Sequence, residues 1–131
     1  MENLNMILYA QDLEGLKNFY RQVFGFAISE VFYSLRASNY ARLRRGEAEL
    51  LLVEAEDADM ADSRNKRVVS EPICCRPVFL IEEPMADYRA KTIKCGGSFD
   101  PDHKEWEDLG YQVCEGIDIE GNIFEVRRPL R

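Results

Sequence analysis

Glu49 in "EAELLLVEA" and Glu125 in "DIEGNIFEV" are carboxylates in strand-like runs of this chain. A carboxylate among apolar neighbours can act as a general base, ligate a cation, or meet a cationic or hydroxyl-bearing ligand. In the opening segment Asn5, Ile7 and Tyr9 alternate with Met6, Leu8 and Ala10, so an amide, an aliphatic group and a phenol share one strand face. The single histidine, His103, lies in "DPDHKEWEDLGY", where Pro101 and dense charge predict an exposed loop. Cys74, Cys75, Cys95 and Cys114 show no C-x-x-C spacing, and the adjacent pair reads as small hydrophobes in a strand. No cysteine or serine sits in a nucleophile motif, and there is no phosphate-cradling G-x-x-x-x-G-K loop.

The elements that must position these groups belong to a chain of 131 residues, 46% hydrophobic, enough for one compact domain with a real core. A formal charge of -7 argues against nucleic acid as partner, because phosphate binding draws on clustered Lys and Arg. It suits a neutral or cationic small ligand. No apolar run approaches the roughly 20 residues that a membrane helix needs. The start "MENLNMILYA" lacks the basic and apolar regions of an export signal, so a cytoplasmic setting with free thiols is expected.

Asp12 can cap a helix in which Leu13, Leu16, Tyr20 and Val23 recur at helical spacing and Gly25 ends the run. "FAISEVFYSL", "NYARLRR" and "EAELLLVEA" follow as strands, with Gly46 at a turn. The second half repeats the first at a shift of 72: Met85, Tyr88, Thr92 and Cys95 fall on the same helical positions, and Gly97 on Gly25. "ICCRPVFLIEE" leads into a helix near Glu83, and "YQVCEGI" and "NIFEVRR" close the copy around the turn "DIEGN". A single domain over 1–131 is expected, with internal modules 1–55 and 73–131 joined by a polar loop over 56–72.

The D-L, F-Y and G-F pairs of "DLEGLKNFYRQVFGF", followed by "DIEGNIFEV", resemble the vicinal oxygen chelate superfamily of glyoxalase I, bleomycin-resistance proteins, fosfomycin-resistance transferases and extradiol dioxygenases. The resemblance implies an α+β fold, two tandem βαβββ modules forming a curved mixed sheet around a cleft, commonly in a homodimer. In the metalloenzymes of this family, His, Glu or Gln at the first and last strands of each module ligate one ion. Those positions fall here on Asn5, Leu51, Pro77 and Glu125, and only Glu125 matches. The resemblance therefore implies no metal and no cofactor here, and a hydrophobic cleft that binds a small cationic or aromatic molecule. Asn5, Ile7, Tyr9, Glu49, Leu51, Pro77, Phe79, Trp106 and Glu125 are its expected lining, with Phe79 on the face of Pro77 and Glu125 as the candidate catalytic base. Arg42, Arg44 and Arg127 either offset the carboxylates or bind a substrate anion. The alternative is a metal-dependent lyase or dioxygenase with an atypical ligand set.

Overall fold

The computed structural model describes residues 5–33, 39–55 and 75–130. The fold is α+β, with two helices and two mixed sheets among the described residues in a tandem arrangement, as the repeat predicts. The chain divides into two compact units, Met1–Lys66 and Arg67–Arg131. The expected connecting loop 56–72 lies outside the described residues.

The first unit runs β1 (Asn5–Ala10), α1 (Leu13–Phe24), β2 (Ala27–Phe32), β3 (Tyr40–Arg45) and β4 (Ala48–Glu54). Its sheet has the order β1-β4-β3-β2, with β1 parallel to β4 and the other pairs antiparallel. Helix α1 starts where the sequence places it, because the Asp12 carboxylate accepts the Gly15 N–H at 2.9 Å. It ends at Gly25, whose φ of 74° is a left-handed turn that glycine adopts without strain. Leu13, Leu16, Tyr20 and Val23 are buried on the helix, as are Ala10, Ala41, Leu43, Leu50 and Leu52 on the sheet face that α1 covers. Strand alternation leaves the opposite face to Asn5, Ile7 and Tyr9 of β1, Glu49 and Leu51 of β4, and Tyr40, Arg42 and Arg44 of β3.

The second unit runs β5 (Val78–Leu80), α2 (Met85–Lys94), β6 (Ser98–Phe99), β7 (Trp106–Asp108), β8 (Tyr111–Ile117) and β9 (Ile123–Pro129). The sheet order is β5-β9-β8-β6, with β7 also paired to β8 and β5 parallel to β9. Where the first unit has the single strand β2, this one has two short strands separated by a 3-10 turn, Asp102–Lys104, that carries the exposed His103. The β8–β9 hairpin closes on Asp118, whose Oδ1 accepts the N–H groups of Glu120 at 2.8 Å and Asn122 at 3.0 Å.

The two copies are offset differently in their strands and their helices. Leu13 corresponds to Met85, a shift of 72, but Ala10 corresponds to Ile81 and Gly25 to the left-handed Gly96, a shift of 71. The link from strand to helix is one residue longer in the second copy, and α2 is two residues shorter than α1. A slip of one residue in a strand moves every side chain to the other face. Pro77 and Phe79 do share a face, as expected, but the expectation that they line a cleft with Glu125 is corrected. Phe79 stands opposite Val126, is buried, and packs edge-on against Phe124 at 5.9 Å, beneath α2. Pro77 has the parity of Phe79, and its carbonyl accepts the Glu125 N–H at 2.8 Å. The residue that corresponds to Asn5 is Arg76.

Candidate functional site

The open face of the first sheet is a row of opposite charges beside an apolar strip. Arg42 meets Glu49 at 3.2 Å through Nη1 and Glu30 at 3.2 Å through Nε. Tyr40 donates its hydroxyl to Glu30 at 3.1 Å, and its ring stacks on Phe32 at 5.3 Å. The hydrogen bond to Glu30, followed by the charge of Glu49, raises the Arg42 guanidinium above its ordinary pKa. Glu49, expected as a lining carboxylate, thus sits on the expected face but is neutralised by arginine. Asn5 stands directly opposite Glu49, and Ile7 opposite Leu51. Ile7 and Tyr9 are 51% and 55% exposed within this face.

The open face of the second sheet repeats the arrangement with a deeper carboxylate. Glu125 is buried, its side chain 9% exposed, and accepts a hydrogen bond from Arg127 Nε. Arg127 also reaches Asp108 at 3.0 Å, and its bond to Glu125 raises its guanidinium above the ordinary value. The other oxygen of Glu125 lies 3.6 Å from Arg76 Nη1, and the same nitrogen donates to Glu115. Glu115 stands directly opposite Glu125 on β8. Trp106 pairs with Val113, which pairs with Arg127, so the indole belongs to the face of Glu125 and is 40% exposed.

Of the expected lining residues, Asn5, Ile7, Tyr9, Glu49 and Leu51 come together on the first sheet, and Trp106 and Glu125 share a face of the second. Pro77 and Phe79 do not. Arg76, Glu115, Asp108 and Glu30 were not anticipated. Counting the repeat from strand to strand finds Arg76, and alternation from Glu125 across the hairpin finds Glu115.

The four positions at which the resembled metalloenzymes hold an ion can be tested unit by unit. The first unit offers an amide, Asn5, and an aliphatic group, Leu51. The second offers the guanidinium of Arg76 and a carboxylate already engaged by two arginines. Hard divalent ions want several oxygen or nitrogen donors without a competing cation. Among the described residues, no group of three or more His, Cys, Asp and Glu is placed to hold a metal. The residues present do not fit the ion.

A family model described as "Glyoxalase/Bleomycin resistance protein/Dioxygenase superfamily" matches residues 4–113. Among curated protein sequences, none matches the chain. Solved structures show the same fold at low identity. The fosfomycin resistance protein FosX from Listeria monocytogenes, complexed with Mn(II) and sulfate, has a TM-score of 0.72 at 13% identity over 97% of this chain and 91% of that one. FosX from Mesorhizobium loti gives 0.69 at 19% identity over 97% and 91%. A glyoxalase/bleomycin resistance protein/dioxygenase family enzyme from Burkholderia phytofirmans gives 0.70 at 18% over 96% and 97%. With the duplicated module, the strand order and this match in agreement, the chain belongs to the glyoxalase/bleomycin resistance protein/dioxygenase superfamily.

Proposed function

We propose that the chain is a metal-independent member of this superfamily that binds a small, largely apolar molecule on the open face of its first sheet. The observation that carries this reading is the pairing of exposed Ile7 and Tyr9 with a charge row that is internally neutralised. Aliphatic and aromatic side chains beside a few placed polar groups are the chemistry that lines small-molecule clefts. Glu49 is held by Arg42, so the face does not offer a bare carboxylate and favours an aromatic over a cationic ligand. Glu125 is held by arginines as well, which weakens its candidacy as a general base. FosX from Listeria carries Mn(II). That favours the alternative of a metal-dependent lyase or dioxygenase, and the donor set here argues against it.

Each sheet ends in edge strands, β1 and β2 in the first unit. Covering such edges supports the further proposal of a homodimer, checked by light scattering at micromolar concentration. No helix among the described residues is long and apolar enough to cross a membrane. Among the described residues Cys75 and Cys114 carry free thiols, which supports a reducing, cytoplasmic setting.

The binding test uses a naphthalene dye as an aromatic probe, titrated into the native protein with dye fluorescence as readout. Saturable binding is expected, weakened about tenfold by Tyr9→Ala with an unchanged melting temperature. Equal binding by the wild type and by Tyr9→Ala and Ile7→Ser variants would place any site elsewhere.

A further inference from the structure

Glu115 and Glu125 are directly opposed on adjacent antiparallel strands, a placement that is unfavourable for like charges. Both side chains are largely withdrawn from water, at 29% and 9% exposure, so solvent screens their repulsion poorly. Something positive must stand between them. One nitrogen does: Arg76 Nη1 pairs with both carboxylates. Arg76 is also the counterpart of Asn5, the first of the positions at which the family's metalloenzymes place a ligand.

From these two placements we infer that Arg76 is the specificity-determining residue for metal independence, a covalently tethered cation that draws two carboxylates together as a bound ion would. This rests on the metal-independent reading above. A guanidinium differs from a divalent ion in ways that matter for selection. It carries one charge, it cannot be removed by a chelator, and it stays protonated throughout the physiological range. Its presence raises the electrostatic cost of a second cation on the same oxygens. Arg127 fixes the other oxygen of Glu125 and itself leans on Asp108, so the row Asp108–Arg127–Glu125–Arg76–Glu115 alternates in sign along its whole length. Replacing Arg76 by a neutral residue leaves an opposed carboxylate pair with a vacancy for positive charge.

The experiment compares the wild type, Arg76→Gln, and Arg76→Gln combined with Glu115→Gln, by thermal unfolding with and without millimolar manganese chloride. The wild-type melting temperature should not move with manganese. Arg76→Gln should melt about 3–6 °C lower and recover several degrees in manganese. The double variant should regain stability without metal and lose the manganese response. A folded Arg76→Gln that melts like the wild type, or that ignores manganese, overturns the inference. Should Arg76→Gln fail to fold, the double variant must recover the fold; failure to do so overturns it equally. A wild type that itself binds manganese in a Glu125-dependent way refutes the metal-independent reading instead, so the two failures are distinguishable.

Discussion

Phe79 and Glu125 lie on opposite faces of the second sheet, although the strands that carry them are hydrogen-bonded neighbours. Phe79 joins Phe124 and Val126 beneath α2, while Glu125 joins Arg127 and Glu115 on the other side. The division separates what holds this unit together from what can meet a ligand. Substitutions on the two faces should therefore have different signatures.

On the core face, Gly116 is fixed by space. A Cβ there would lie 2.5 Å from Phe124 Cζ and 2.9 Å from Phe99 Cδ2. Gly116→Ala should cost about 1–3 kcal/mol in urea unfolding, the usual penalty of overpacking. Adding Phe124→Leu should recover part of that loss by withdrawing the ring. An alanine variant as stable as the wild type would show that the rings yield without cost.

Thiol chemistry should follow burial. Cys114 is fully buried, and desolvation pushes its thiol above the ordinary range, while Cys75 is exposed. In native protein, Cys75 should react with a disulfide reagent within minutes, and Cys114 only as the fold opens. Because the folded value of Cys114 is raised, its contribution to stability is complete below the unfolded pKa and is lost as pH rises through the folded one. Rapid native labelling of Cys114, read by peptide mass, would contradict the packing.

Near the start of α1, Glu14 bonds Lys17 at 2.7 Å and accepts the Tyr33 hydroxyl at 2.8 Å. The hydrogen bond from Lys17, then that from Tyr33, holds the Glu14 carboxyl below its ordinary value of 4.5. A depressed folded pKa means that the stability is present above the unfolded value and lost as pH falls through the folded one. Since Glu14 is exposed, solvent limits the effect to about 0.5 kcal/mol. Wild type and Glu14→Gln should differ by that amount above the unfolded value and converge as pH falls through the folded one. A difference that stays constant through the acid titration would assign the loss to something other than charge.

How far such placements were legible differs between the units. In the first, Asp12, Gly25 and the alternation of Asn5, Ile7 and Tyr9 are local signals, and the helix and strand face follow from them directly. In the second, the helix has no side-chain cap, and Pro84 precedes it. The repeat is therefore legible only at buried helical positions, which carry no information about the length of the preceding link. One added residue there exchanged Arg76 for Pro77. The pairing of Glu125 with Arg127 has a local signature, two residues apart on one strand. Its contact with Arg76 and opposition to Glu115 depend on strand register, which the hairpin turn at Asp118 and the β5–β9 pairing supply only in three dimensions. The strands β6 and β7, both paired to β8, carry too few residues to show a period.

The central claim, that arginine takes the place of a metal in this member of the family, is tested most directly by metal analysis of protein purified without chelators. Well under one equivalent per chain of nickel, zinc, iron and manganese is predicted, with thermal unfolding unchanged by a chelator. One tightly held ion per chain, lost on Glu125→Gln and stripped by the chelator with a fall in melting temperature, would contradict the account.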